Sequence, residues 1–146
     1  MNLKYPVAIT QDENGAFCVE VPDLEGCFTF GDTLEEALVH ARDAIAVWLM
    51  EFLEEGKAYP RPGTHDTPYA VEPSPYVLVP WLLRERREAL GLTQTEAAKA
   101  LGVTYQTYQR FENPLKGNLT LRTLSKLLAF LGLDIVMIPT DGKKAA

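Results

Sequence analysis

Six of the ten prolines (Pro60, Pro62, Pro68, Pro73, Pro75 and Pro80) fall between Tyr59 and Trp81, and neither one helix nor one central strand can run through so many missing N–H donors. The chain must therefore break there. We expect an extended, hinge-like segment over 57–80, with one folded unit before its end and another after it. A length of 146 residues allows two small units, taken here as 1–80 and 81–146.

Charge divides at the same place. Residues 1–75 carry 4 basic and 14 acidic side chains, a net −10, whereas residues 76–146 carry 10 basic and 6 acidic ones, a net +4. The first half suits a basic partner, and the second can approach phosphate. At 47% hydrophobic and 23% charged, the composition is that of a folded globular chain. The longest apolar runs, Ala44 to Met50 and Leu127 to Leu131, fall far short of the ~18 residues of a membrane span. With no signal-like pattern at Met1–Pro6, a cytoplasmic location without membrane contact is expected. Cys18 and Cys27 rule out a disulfide framework and read as packed free thiols.

In the first unit Tyr5, Val7 and Ile9, then Phe17, Val19 and Val21, alternate with polar or small residues, which is the period of half-buried strands. Asp12-Glu13-Asn14-Gly15 between them supplies an Asn-Gly hairpin turn. Cys27 to Phe30 reads as a third strand. Thr33-x-x-Glu36 is a capping box that opens a long amphipathic helix, Thr33 to Glu55, whose apolar residues step by three and four from Leu34 to Phe52. Tyr76 to Val79 is expected to return as a fourth strand, giving the order βββαβ.

The second unit reads as helical. A charged helix, Trp81 to Leu90, stops at Gly91; Thr93-x-x-Glu96 caps a helix to Leu101; Gly102-Val103 turns; Thr104 caps a helix through Asn113. Helix, tight turn and second helix make a helix-turn-helix. Thr120 caps a last helix with Leu121, Leu124, Leu127, Leu128 and Leu131 as its core stripe. Asp134 to Pro139 is β-branched and strand-like, and pairing of Ile135, Val136, Met137 and Ile138 with a second copy would give a homodimer or higher even oligomer. The fold class is thus α+β, with an all-helical second domain that ends in a strand.

A helix that enters the major groove must present polar side chains near its N-terminus. Thr104, Tyr105, Gln106, Thr107, Gln109 and Arg110 are so placed, and Gln94 opens the preceding helix where a phosphate can be met. Lys99, Lys116 and Arg122 would add attraction independent of base sequence. Metal-assisted cleavage needs several converging carboxylates, but Asp12 and Glu13 belong to a turn, and Asp23 and Glu25 to a loop. No catalytic residue, metal or cofactor is assigned, and His40 and His65 read as solvated.

Leu92-Thr93-Gln94-Thr95-Glu96-Ala97-Ala98-Lys99-Ala100-Leu101-Gly102-Val103-Thr104, followed by Tyr108-x-Arg110-Phe111-Glu112, resembles the Xre/Cro-like helix-turn-helix family. The resemblance implies that Gln94 touches phosphate and that Tyr105, Gln106, Gln109 and Arg110 touch bases. The chain departs from that family after Leu133, where a strand-like segment replaces the frequent fifth helix.

Phe17-Cys18-Val19-Glu20-Val21-Pro22-Asp23-Leu24-Glu25-Gly26-Cys27, with Gly31-Asp32-Thr33-Leu34-Glu35-Glu36-Ala37-Leu38 and Ala41-Arg42-Asp43-Ala44, resembles the HicB antitoxins. That likeness implies a partial RNase H-like βββαβ domain that binds and blocks a HicA-type toxin, a small RNA-cleaving ribonuclease, beside a domain that binds operator DNA. Toxin contacts are then expected at Asp12, Glu13, Asp23, Leu24 and Glu25, although Asp23 to Gly26 reads equally well as a plain tight turn. The alternative functions are a stand-alone repressor with an N-terminal sensing domain and, from another class, a nuclease.

Overall fold

The computed structural model of the protein describes residues 3–139; Met1, Asn2 and the end of the expected second unit, 140–146, lie outside it. The first hairpin joins β1 (Tyr5–Gln11) to β2 (Phe17–Glu20). Asp12 Oδ1 accepts from the Asn14 and Ala16 N–H groups, and Gly15 takes φ +83°, which a side chain would resist. β3 (Phe28–Gly31) pairs with β2, and β4 (Tyr69–Val71) pairs with β1, giving an antiparallel sheet in the order β3-β2-β1-β4. Helix α1 (Leu34–Glu54) covers one face: Ala37, Ala41, Ile45 and Leu49 pack with Tyr5, Val7 and Val19 in one buried core. Thr33 caps α1 by accepting from the Glu36 N–H. Gly31 lets the sheet meet the helix start, because a Cβ there would overlap the backbone nitrogen of Ala37.

The order βββαβ holds, but its last strand is Tyr69–Val71, not Tyr76 to Val79. Those latter residues open helix α2 (Pro75–Ala89). Pro75 stands at the first helical position, where its missing N–H costs nothing, and Val77, Pro80, Trp81 and Leu83 then form a buried stripe. Four β-branched or bulky residues in a row, Tyr76 to Val79, suggested a strand; burial of the helical stripe outweighs that preference. The expected start of this helix at Trp81 moves accordingly.

The proline-rich stretch is extended only over 57–74, since 75–80 of the expected hinge are helical, and it is fastened rather than free. Tyr5 Oη donates to the Pro60 carbonyl (2.6 Å), Asp23 accepts from the Gly63 N–H (2.8 Å), and Thr67 Oγ1 donates to the Val7 carbonyl (2.6 Å). Tyr59 packs on Trp81 with ring centroids 4.1 Å apart.

α2 belongs to both halves. Val77 and Trp81 complete the first core, whereas Leu83 joins Ala97, Ala98, Tyr108, Leu127 and Leu131 in a second. Around that second core lie α3 (Gln94–Leu101), α4 (Tyr105–Phe111) and α5 (Leu121–Leu131). The Thr93 capping box and the left-handed Gly102 appear where the sequence places them, and α4 ends at Phe111 rather than Asn113. Leu121 leaves the expected core stripe: it is 85% exposed at the first turn of α5, beyond the reach of the other helices. Ile135 to Ile138 are exposed and pair with no strand among the described residues. Cys18 and Cys27 are free thiols, and burial pushes the Cys27 thiol pKa up.

Candidate DNA-reading face and partner surface

The centre of the second half is Glu112, a buried carboxylate at the end of α4. Arg87 of α2 grips it with two hydrogen bonds, Nε to Oε1 at 2.6 Å and Nη2 to Oε2 at 3.1 Å, while its Nη1 donates to the Leu92 carbonyl at 2.6 Å. Tyr108 Oη donates to Oε1 (2.8 Å) and Gln94 Nε2 to Oε2 (3.0 Å). Burial alone would lower the Arg87 pKa, but the hydrogen bond and charge of Glu112 raise it above its usual value. Burial first, and then the Glu112 charge, push the Tyr108 phenol well above its usual pKa, so it stays a donor. One carboxylate thereby sets α2, α3 and α4 against each other. Sequence reasoning missed this pair, although Arg87 lies four residues after Leu83 on the buried stripe, an improbable place for an unpartnered charge.

On that frame the expected reading residues fall into two groups. Gln106, Thr107, Gln109 and Arg110 are exposed together on α4. Gln94 is half-buried, tied to Glu112 and accepting from Tyr105 Oη at 3.4 Å; Gln109 in turn donates to Tyr105 Oη at 3.2 Å. Thr104 caps α4 by accepting from the Thr107 N–H, and the two hydroxyls meet at 2.9 Å. Lys99, Lys116 and Arg122 are exposed. Gln106, Gln109 and Arg110 also line a cleft of about 660 Å³ whose opposite wall is the end of α1, Leu53 and Glu54.

The expected toxin-contact residues do not form one surface. Leu24 is fully buried in the first core, so it is a packing residue and cannot meet a partner. Asp23 is turned to the proline-rich stretch, holding the Gly63 N–H and His65 Nε2, the latter at 2.7 Å. His65 is exposed, as the sequence suggested, and is also paired with Asp23. His40 likewise has its Nδ1 2.7 Å from the Phe30 carbonyl. Asp12 serves the hairpin; Glu13 and Glu25 are exposed, and the Glu25 carbonyl accepts from Trp48 Nε1. Among the described residues, no three His, Cys, Asp or Glu side chains gather as metal ligands would. What the sequence did not flag is Phe28 and Phe30, each 64% exposed on edge strand β3. Two aromatics spaced by two residues in a strand were the available signal, since one face of this sheet carries no helix.

No helix of the described residues is long and apolar enough to cross a membrane. Residues 5–74 match the family of HicB-like antitoxins of bacterial toxin-antitoxin systems, and residues 83–138 match a helix-turn-helix family. The chain is similar to Antitoxin HicB 1 of Photorhabdus laumondii, 29% identical over 136 residues that cover 93% of this chain and 86% of the relative. Antitoxin HicB of Escherichia coli K12 is 28% identical over 118 residues, 76% of this chain and 81% of the relative. The UPF0150 protein Ta0767 of Thermoplasma acidophilum is 42% identical over 59 residues, 40% of this chain and 86% of the relative, so the likeness includes a short protein of about the size of the first half. The two family matches leave only 75–82 between them, the first turns of α2, and together with the βββαβ sheet and the Glu112-centred helices they make the chain a member of the HicB-like antitoxin family with a helix-turn-helix domain.

Proposed function

We propose that the chain binds and blocks a small basic HicA-type ribonuclease through residues 1–80 and represses its own operon through residues 81–146, the two units meeting inside α2. The observation that carries this reading is the division of charge along the family boundary: net −10 over residues 1–75, and net +4 where the helix-turn-helix begins. A basic toxin is drawn to the first half and DNA to the second, each in a salt-sensitive way. No covalent chemistry is required of the antitoxin, whose work is to cover the toxin. Co-expression with a HicA-type protein of the same source organism tests the first half of the reading: the two should co-purify, and RNA cleavage by the toxin should stop.

Base reading falls to Gln106, Gln109 and Arg110. These side chains are exposed on α4, and the major groove, about 12 Å wide, admits a helix that presents them. Gln106→Ala and Arg110→Ala should each weaken operator binding by about 1–3 kcal/mol and spare toxin inhibition. Lys99→Ala and Lys116→Ala should instead weaken binding to all DNA and reduce the salt slope by about one per lost phosphate contact. Glu54→Gln, which removes an acidic group from the wall opposite Arg110, should tighten DNA binding at low salt. Gel-shift titrations on operator and scrambled DNA at two salt concentrations measure all of these.

Dimerisation is assigned to the tail. Ile135, Val136, Met137 and Ile138 expose an apolar segment that joins no strand among the described residues, with the Ile135 N–H donating to Asp134 Oδ1, and antiparallel pairing with a second copy would satisfy both edges in one contact. Two recognition helices about 34 Å apart would then favour an inverted-repeat operator. Truncation after Leu133 should convert the dimer to monomer in light scattering and weaken operator binding; an intact dimer would place the interface elsewhere.

A further inference from the structure

We propose that the outer edge of β3, with the groove between β3 and α1, is where the toxin docks, by adding one of its own extended basic segments as a fifth strand. The inference rests on the antitoxin reading above and replaces the hairpin and loop residues suggested by sequence with a different surface.

β3 is the end strand of the sheet, and no strand of the described residues pairs with its outer side. α1 runs antiparallel alongside it: Gly31 abuts Ala37, the Phe30 carbonyl meets His40, and the Glu25 carbonyl meets Trp48. Since the Phe30 carbonyl points outward to His40, the Phe28 N–H and carbonyl, two residues earlier, point outward as well. They offer an incoming strand one full pair of hydrogen bonds, and His40 closes the groove at the far end.

The groove beside this edge measures about 520 Å³, and α1 lines it with Asp43, Ala44, Val47, Trp48 and Glu51. Val47 is 57% exposed at its centre. Asp43 and Glu51 are eight residues apart in α1, about 12 Å along the axis at the usual rise. Residues i and i+4 of an extended strand are separated by nearly the same distance, about 13 Å, and point to the same side. A segment with basic, apolar and basic side chains at alternate positions therefore meets Asp43, the Ala44–Val47–Trp48 surface and Glu51 in turn. Its intervening side chains would lie beside Phe28 and Phe30 on the open face of the sheet. Main-chain pairing supplies affinity in such strand addition, and the alternate pockets supply selectivity.

Charge selects the occupant. A second copy would bring its own Asp43, Glu51 and the same net −10 half to the edge, and like charges placed opposite each other are destabilising. A basic protein brings the complement.

The test uses the full chain and a HicA-type protein of the same source organism in a cleavage-inactive form. Val47→Arg, which fills the groove and reverses its charge preference, and Phe28→Glu both alter exposed side chains, so folding should survive, as far-UV circular dichroism would verify. Each should raise the Kd for the toxin at least 100-fold, whereas Glu13→Lys in the hairpin should change it less than 3-fold. Hydrogen exchange at the Phe28 amide should slow at least 10-fold in the parent complex. If the parent binds the toxin while Val47→Arg and Phe28→Glu bind it equally well, or the Phe28 amide gains no protection, the docking surface is overturned and the antitoxin reading stands. If the parent itself does not bind, the antitoxin reading fails and the surface with it. A fall in mass by light scattering for Val47→Arg without toxin would show that the edge joins copies of this chain, which also overturns the proposal.

Discussion

Replacing Glu112 by alanine should unfold the helix-turn-helix half of the protein at a cost of about 3–5 kcal/mol, the range found when one partner of a buried ion pair is removed. Arg87 would then be left buried with its charge uncompensated, and the Tyr108 hydroxyl and Gln94 amide would lose their shared acceptor. Arg87→Ala should cost a comparable amount, because it strands Glu112 and also frees the Leu92 carbonyl at the end of the α2–α3 turn. The informative comparison is Arg87→Met combined with Glu112→Leu. Removing both charges together is often neutral or stabilising, so the double variant should recover much of the lost stability while operator binding remains impaired, since Gln94 loses its anchor. Urea titration followed by far-UV circular dichroism gives the stabilities, and a single-variant cost below about 1 kcal/mol would show that Glu112 does not organise the domain.

Trp81→Ala should be nearly as damaging, at about 3–5 kcal/mol, but its effect should reach both halves. Trp81 is fully buried under the first core, carries the Tyr59 ring on its face and has the Arg61 guanidinium 6.0 Å from its centroid. Arg61 also pairs with Glu85 on the next turn of α2 at 2.6 Å, so the proline-rich stretch, α1 and α2 are clamped about one indole. Loss of that ring leaves a cavity where α2 crosses between the cores and loosens the packing of α2 on both. Trp81→Phe should cost far less, since its indole N–H finds no hydrogen-bond partner among the described residues and most of the ring contact survives. Trp48, the other tryptophan, remains as an internal fluorescence reporter in the alanine variant. Melting followed at Trp48 and by circular dichroism should show a lowered transition for both halves; a first half that melts as in the parent would mean that Trp81 matters only locally.

The elements that the sequence predicted well are those whose causes lie within a few residues. The Asp12–Gly15 hairpin, the Thr33 cap, the Thr93 capping box and the Gly102 turn each depend on short-range hydrogen bonds and on where a positive φ is tolerated, and all are present. The period of two in β1 and β2 and the three-and-four stepping of α1 likewise survive, because each pattern buries one face of its own element. Errors arose where local preference and tertiary burial disagreed. Tyr76 to Val79 carries strand-forming side chains but belongs to α2, because the helix puts Val77, Pro80 and Trp81 on one buried stripe, which the alternation of a strand would split between two faces. Leu24 lies in a loop of acidic neighbours and is nevertheless fully buried.

The amino-acid sequence by itself determined the α+β class, the division into an acidic and a basic half, the helix-turn-helix and the family resemblance, since these rest on composition, period and contiguous motifs. Only the tertiary structure decided how the halves are joined and which residues face a partner. Arg87 and Glu112 are 25 positions apart, Asp23 and His65 are 42 apart, and Tyr5 and Pro60 are 55 apart. No periodicity links such pairs. Their contacts exist because burying the apolar stripes of α1 and α2 brings distant segments together, and polar groups enclosed by that packing must find partners or forfeit their hydration. The same packing leaves β3 at the edge of the sheet with its aromatics uncovered, a property of strand order that its four residues do not encode.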